Sequence, residues 1–179
     1  MTRGLERLRT GRLLLQRVCE ADLEDLSRLY ADPRVMATLG GTLDADATAA
    51  QLRELCAHWE RHGFGPWTLR EPGTGRFLGR GGLRRVHVGG RDEVEILYAL
   101  AADAWGCGYA TELARESARV AFEQLALPSL VCFTRPDNAR SLRVMQRAGF
   151  AWERDVVHRG LPHVLHRLHA PRPRLTAEL

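Results

Sequence analysis

The chain has 179 residues, of which 45% are hydrophobic and 27% charged, and its formal net charge is +4. This length and balance fit one globular domain over residues 1–179, and no apolar run approaches the roughly 18 residues that a transmembrane helix needs. The positive charge comes entirely from arginine, which excludes a lysine-based phosphate clamp or Schiff base.

The first half of the chain predicts a strand, two helices and then a run of strands. Arg12–Val18 is predicted as the first strand. Apolar residues at helical spacing follow until Asp32-Pro33 ends a first helix, and a second helix is expected from about Asp44 to His62. Three strand-like segments separated by glycine-rich turns come next: Phe64–Glu71, Arg76–Val88 and Glu93–Leu100.

The second half alternates helices and strands. A stripe of small and apolar residues predicts a helix after Gly108, and Ser129–Arg135 is predicted as a strand. A further helix ends at Gly149, a last hairpin turns near 159–162, and the tail Ala170–Leu179 is expected to fray. Consecutive antiparallel strands followed by strand–helix crossovers predict a mixed α/β sheet.

Two glycines stand where the helix after residue 108 begins, in the sequence "WGCGYATELARE" from Trp105 to Glu116. Glycine allows positive φ and lets a ligand approach the backbone closely. A helix start offers unpaired N–H groups and a partial positive charge. Gly106 and Gly108 therefore indicate a main-chain site for an anion such as a phosphate, although a plain tight turn explains an isolated G-x-G equally simply.

Two nucleotide-binding motifs do not fit this loop. A dinucleotide fingerprint needs its glycines directly at a strand end, whereas Ala101 to Trp105 intervene between Leu100 and Gly106. A Walker A loop needs G-K-[ST], which the chain lacks.

The wider pattern resembles the GNAT superfamily of acetyl-CoA-dependent N-acetyltransferases. "EILYALAADAWGCGYATELARE" followed by "TRPDNARSLRVMQRAGF" carries the likeness, over roughly residues 10–168. "TGRLLLQ", "DPRV" and "GRGGLR" resemble the branch of the ribosomal-protein-alanine acetyltransferases. The resemblance implies a GNAT-like α/β fold: a mostly antiparallel twisted sheet of six to seven strands, splayed between the fourth and fifth and flanked by about four helices.

The same resemblance implies acetyl-CoA as co-substrate and suggests residues that contact it. The backbone at Leu97, Tyr98 and Ala99 corresponds to the strand that pairs with the pantetheine arm, although Tyr98 also suits a core position. Asn138 corresponds to a residue that contacts this arm, and it equally suits a helix cap. The pyrophosphate loop corresponds to Trp105, Gly106, Cys107, Gly108, Tyr109, Ala110 and Thr111, with Cys107 where a basic residue is common.

Two residues are candidates for proton transfer. Glu95 matches an acidic residue of this branch that removes a proton from the acceptor amine, or else it belongs to a solvated strand face with Glu93. Ser141 matches the branch's candidate acid for the departing thiolate, or else it is an ordinary helical serine. The tyrosine that many relatives use is replaced by Met145, and the final hairpin, with Asp155, His158 and His163, corresponds to the border of the acceptor groove.

Other residue types predict fewer roles. His163, His166 and His169 recur every third residue on a predicted strand, so they point to opposite faces and no metal is expected. Modest charge without clustered aromatic residues argues against nucleic acid, and no membrane partner is expected. The cysteines form no C-x-x-C pair, which with the lack of a signal peptide indicates a cytoplasmic protein; they are Cys19, Cys56, Cys107 and Cys132.

The sequence thus predicts an acetyl-CoA-dependent N-acetyltransferase that moves an acetyl group directly to a primary amine on a protein N-terminus or a small molecule. A non-catalytic acyl-CoA-binding or sensing domain is the alternative, and Glu95 separates the two because a sensor needs no base. A homodimer is implied by the family resemblance alone.

Overall fold

The protein is described by a computed structural model that covers residues 4–171. The strands are β1 (Arg7–Arg9), β2 (Leu14–Arg17), β3 (Pro66–Arg70), β4 (Phe77–Val88), β5 (Arg91–Leu100), β6 (Ser129–Thr134), β7 (Ala151–His158) and β8 (Leu161–His169). The helices are α1 (Leu23–Ala31), α2 (Pro33–Met36), α3 (Ala45–His62), α4 (Tyr109–Arg119) and α5 (Ala139–Arg147).

These elements form one sheet of eight strands in the order β1-β2-β3-β4-β5-β6-β8-β7. Every neighbouring pair is antiparallel except β5 and β6, which run parallel. The predicted mixed, mostly antiparallel sheet is confirmed, and β1 is one strand more than the sequence indicated. A π-helical turn at Val120–Gln124 extends α4. Most of the predicted tail, residues 172–179, lies outside the described residues.

Helix α3 begins and ends where its sequence provides caps. The Asp44 carboxylate accepts a hydrogen bond from the Ala47 amide at 2.8 Å, and Gly63 ends the helix in the left-handed conformation at φ 70°. Leu52, Leu55 and Trp59 recur at helical spacing and are 2–3% exposed. The helix therefore packs one apolar stripe against the sheet.

His58, on the same helix, attaches α3 to β4 and to the segment that leads into β3. Its Nδ1 lies 3.0 Å from the Phe64 carbonyl oxygen, and its Nε2 accepts a hydrogen bond from the Arg85 amide at 3.0 Å. An imidazole that donates through one nitrogen and accepts through the other is neutral. Burial lowers the pKa of His58 to about 4, so this neutral form persists at physiological pH.

Helices cover both faces of the central strands. A Cβ atom added to Gly81 would lie 2.5 Å from the Leu113 side chain of α4. Helix α4 therefore packs directly on β4. On the opposite face, the Arg80 Nε donates to the Tyr30 hydroxyl of α1 at 2.9 Å. Because strand residues alternate between faces, Tyr98, the partner of Gly81, points towards α4, while Ala99, the partner of Arg80, points towards α1.

The sheet opens between β5 and β6. These strands pair at one position, Glu95 with Val131, whereas β4 and β5 pair along ten. Beyond Glu95, the backbone of β5 continues to Leu100 without β6 beside it, so the strands diverge. This opening corresponds to the splay that the sequence predicted, and Leu97–Ala99 lies along its edge.

We expect Asp44→Ala to lower the free energy of unfolding by about 1 kcal/mol, because the first turn of α3 loses its side-chain cap. Chemical denaturation monitored by circular dichroism measures the change. Asp46→Ala is the matched control: Asp46 is also an exposed carboxylate in the first turn but does not cap it. Equal losses in the two variants would contradict a capping role for Asp44.

Candidate active site

The turn into α4 presents unpaired backbone amides beside the opening. Gly106 and Gly108 have φ values of 77° and 81°, which glycine adopts without strain. No side chain caps α4, and the Glu112 amide is bonded to the Gly108 carbonyl at 3.1 Å. The amides of the preceding turn at 109–111 are therefore available for an anion, and the partial charge of the helix favours one there.

Two arginines that the sequence analysis did not assign lie beside this turn. Arg12 donates through Nη1 to the Cys107 carbonyl at 2.7 Å and forms an ion pair with Glu112 at 2.8 Å. The Arg140 guanidinium stacks 4.3 Å above the Trp105 ring. Exposed Cys107 adds no charge, so these guanidinium groups supply the positive charge near the loop. Arg12 comes from the β1–β2 connection, and the motif itself carries no signal for it.

On the far side of the opening, Asn138 joins three segments. Its Oδ1 accepts a hydrogen bond from the Ser141 amide at 3.2 Å, which confirms the predicted helix cap. Its Nδ2 donates to Thr134 at 3.0 Å and to Thr38, in the turn after α2, at 3.2 Å. Asn138 therefore connects β6, α5 and the turn after α2 at the edge of the opening.

The Tyr98 hydroxyl lies 2.8 Å from Ser141 Oγ. Ser141 is 8% exposed, so it is not a solvated helical serine. Burial and the neighbouring Cys132 thiol raise the pKa of Tyr98 well above its ordinary value near 10. The phenol is therefore protonated near neutral pH, and it shares a hydrogen bond with the serine that the sequence proposed as an acid.

Glu95 is buried on the opposite face of the sheet, with 3% of its surface exposed. Arg84, its partner on β4, donates through Nε to Glu95 Oε1 at 2.7 Å and through Nη2 to the same oxygen. Within residues 4–171 both of these contacts use Oε1, so Oε2 is left for another partner. Burial raises the pKa of Glu95, and the attraction of Arg84 opposes that rise.

Neither glutamate of β5 belongs to a solvated strand face. Glu93 pairs with Arg167 at 2.6 Å, and Glu95 is enclosed beside Arg84. Glu95 and Ser141 flank the opening from opposite faces, because Tyr98 points towards α4 and Glu95 towards α1. A base and an acid on opposite sides of one cleft suit a reaction in which a nucleophile arrives from one side and a leaving group departs on the other.

The three candidate residues of the final hairpin, Asp155, His158 and His163, lie on two different faces of the sheet. His158 and His163 contact the Phe133 ring at centroid distances of 4.9 and 5.8 Å. Asp155 pairs with Val164 and alternates to the other face, where it accepts a hydrogen bond from Trp152 at 3.4 Å. His158 and His163 thus lie on the same face of the sheet as Glu95, and Asp155 does not.

A sheet that opens beside one strand, with a glycine-containing helix start at the opening, can hold a phosphate at the loop and an extended chain along the free strand edge. Residues 12–151 match the family model described as an acetyltransferase (GNAT) domain. The chain belongs to this family of acetyltransferases, whose members take the acetyl group from acetyl-CoA.

Solved structures show the same fold. The acetyltransferase from Agrobacterium tumefaciens str. C58 has a TM-score of 0.80 and 29% identity, covering 91% of this chain and 94% of that one. Spermidine N-acetyltransferase from Vibrio cholerae, solved with CoA and spermine, has a TM-score of 0.71 and 15% identity over 89% and 96% of the two chains. Ribosomal-protein-S5-alanine acetyltransferase from Vibrio fischeri has a TM-score of 0.72 and 12% identity over 93% and 97%.

Residues 4–171 hold neither a candidate membrane span nor a metal centre. None of the helices there is long and apolar enough to cross a membrane. The same part of the chain contains no cluster of three or more potential metal ligands among its His, Cys, Asp and Glu side chains.

We expect Gly106→Ala to raise the Kd for CoA about tenfold, or about 1.4 kcal/mol, because a side chain at positive φ distorts the turn that presents the amides. Isothermal titration calorimetry measures the change. Gly90→Ala is the control: both glycines have φ 77° and open space around the added Cβ. The two variants should lose similar stability, and an unchanged Kd in Gly106→Ala would argue against the loop as the phosphate site.

Proposed function

We propose that this acetyltransferase transfers the acetyl group directly to a primary amine, on a small molecule or a protein N-terminus. The observation that carries the proposal is the position of Glu95. It is a buried carboxylate with one oxygen held by Arg84, at the one residue where β5 still pairs with β6. A proton acceptor at the head of the opening suits an acceptor that must lose a proton before it attacks.

The residues around the opening fit CoA. The turn and the first amides of α4 would hold the diphosphate, and the unpaired edge of β5 at Leu97, Tyr98 and Ala99 would pair with the amides of the pantetheine arm. Asn138 and Ser141 would border the end of that arm. Once bound, acetyl-CoA supplies a thioester carbon for nucleophilic attack. The loop residues in this role are Trp105, Gly106, Cys107, Gly108, Tyr109, Ala110 and Thr111.

Glu95 acts as the general base. Alkyl ammonium groups resemble lysine, with pKa values near 10.4, so most acceptor molecules arrive protonated. Arg84 fixes Oε1, and Oε2 receives the proton from the amine directly or through one water molecule. Because burial raises the pKa of Glu95, its proton affinity is closer to that of the amine than an exposed glutamate's would be.

Ser141 acts as the acid for the departing thiolate, with Tyr98 as its hydrogen-bond partner. A serine hydroxyl alone is a weak acid. The Tyr98 phenol at 2.8 Å can donate a hydrogen bond to Ser141 Oγ, which stabilises the negative charge on that oxygen as the Ser141 proton moves to the sulfur; a proton from water restores the serine after the thiol has left. Burial raises the pKa of Tyr98, so the phenol stays protonated and remains a hydrogen-bond donor throughout this step.

The alternative is a non-catalytic acyl-CoA sensor. Such a domain would need the loop at 105–111 but neither Glu95 nor the Tyr98–Ser141 pair. Release of CoA, followed with a thiol reagent over a panel of amines and peptide N-termini, separates the two. Binding of CoA without release above background across the panel would favour the sensor.

We expect Glu95→Gln to lower kcat/KM at least about 100-fold, because general-base catalysis contributes roughly 10²–10⁴-fold. Glu95 must be ionised to act, so kcat/KM should fall as the pH drops through its raised pKa. The acid limb should therefore lie above that expected for an exposed glutamate, and it should disappear in Glu95→Gln. Initial rates across pH measure this profile.

Glu93→Gln is the matched control for the base. Glu93 lies on the same strand two residues earlier and is also ion-paired, to Arg167. It should retain kcat/KM and the acid limb. A Glu95→Gln enzyme that keeps the parent's rate and profile would show that Glu95 is not the base.

We expect Ser141→Ala to lower kcat about 100-fold and Tyr98→Phe about tenfold, each with little change in the KM for acetyl-CoA. Because the two hydroxyls act through one hydrogen bond, the double variant should resemble Ser141→Ala alone. Tyr109→Phe, at the start of α4, is the control for loss of a phenol. Additive effects of the two substitutions would separate Tyr98 from the acid step.

A further inference from the structure

The face of the sheet that carries Glu95 continues onto the final hairpin. Strand alternation places Phe133, His158 and His163 on this face, and the imidazoles also contact each other at 5.6 Å. These rings form one wall of the cleft on the Glu95 side. If the proposed function holds, the acceptor amine lies beside this wall when it reaches Glu95.

Arg80 is the most enclosed cation on this face. It is 7% exposed, and its Nε donates to the Tyr30 hydroxyl at 2.9 Å. In residues 4–171 that is the hydrogen bond its side chain makes, so both terminal nitrogens remain free to donate. Neither is sealed from solvent. A buried guanidinium whose terminal nitrogens are unpaired and not fully enclosed is suited to bind a carboxylate or phosphate.

Arginines outnumber the carboxylates that face the cleft. Arg80 and Arg84 lie on the Glu95 face of β4, and Arg159 follows His158 in the turn between β7 and β8; the positive charges of all three lower the pKa of Glu95 against the effect of burial. Arg84 is already bound to Glu95, and among residues 4–171 neither Arg80 nor Arg159 forms an ion pair with a carboxylate. Two more distant carboxylates, Glu93 and Glu153, are both bound to Arg167 and offer little to an incoming cation.

The histidines add no negative charge that would offset these arginines. Burial, Arg159, His163 and Arg84 all lower the pKa of His158, so it is neutral near pH 7. The wall therefore presents a neutral imidazole and an aromatic ring beside uncompensated guanidinium groups. A substrate that brings a second positive charge would meet repulsion in a partly buried, low-dielectric cleft.

We infer that the acceptor is an amine that carries a negatively charged group, a carboxylate or a phosphate, a few bonds from the reacting nitrogen, and that Arg80 and Arg159 bind this group. The inference rests on the proposed function and specifies its substrate class. The amine end reaches Glu95 and the anionic end reaches the arginines. Polyamines, whose charges are all positive, are rejected by the same groups.

Amines with one skeleton and different ends test the inference. We expect kcat/KM to follow the order 4-aminobutanoate, 4-aminobutanamide, 1,4-diaminobutane, with at least about tenfold between the first and the last, which is about 1.4 kcal/mol. Tripeptides with Asp, Asn or Lys in second position should follow the same order. CoA release measures every rate with the same enzyme preparation.

Two variants locate the anion site. Arg80→Gln and Arg159→Asn should each reduce the preference for carboxylate over carboxamide at least threefold, compared on the pH plateau of each enzyme because both arginines also lower the pKa of Glu95. Asn suits position 159 because it tolerates the φ of 50° there. Arg53→Gln, an exposed arginine on α3, is the control for net charge. Arg159→Asn remains decisive if the buried Arg80 variant does not fold.

The possible outcomes are distinct. A carboxamide or diamine that reacts as fast as the carboxylate overturns the inference and leaves the proposed function intact. An Arg159→Asn enzyme that keeps the full preference for the carboxylate also overturns the inference alone. No CoA release with any amine overturns the proposed function, and the inference falls with it.

Discussion

The site depends on one backbone pairing, between Glu95 on β5 and Val131 on β6. Here the sheet is continuous, and beyond it the two strands separate. Separation leaves one edge of β5 without sheet partners, which is costly unless another group or water binds there. Pairing of β5 with β4 along ten positions holds the strand in place, and α4 packs on that pair at Gly81. The opening is therefore a fixed feature of the sheet, and a short 3-10 turn at Ala102–Ala104 connects the end of β5 to the loop at 105–108.

Burial raises the pKa of Glu95, and the ion pair with Arg84 opposes that rise. An isolated carboxylate at 3% exposure would be protonated, because desolvation disfavours its charge. Arg84 restores the charged form while occupying one oxygen. Replacing such a pair with apolar residues often leaves stability unchanged or improves it, so stability alone does not explain the pair. The proton transfer proposed above would explain a charged carboxylate at the head of the cleft.

Local patterns predicted much of this structure, and contacts between distant segments account for what they did not. Asp44 and Gly108 mark helix starts because capping depends on neighbouring residues, and alternation along Glu93–Leu100 correctly separated two faces. Arg12 reaches the glycine loop from the β1–β2 connection, and Tyr98 meets Ser141 from another element. The local pattern of residues does not predict contacts between segments that are distant in the sequence. The burial of Glu95 was equally hidden, since it depends on Arg84 across a strand pair.

The hydrogen bond from Asn138 to Thr38 has a consequence for turnover. It ties the turn after α2 to the start of α5 through a single contact of 3.2 Å. One such bond contributes about 1 kcal/mol net, which is small beside the free energy of unfolding of a whole domain. A contact of this size can break while the pairing of β4 with β5 stays intact, so the cleft mouth can widen without disturbing the sheet.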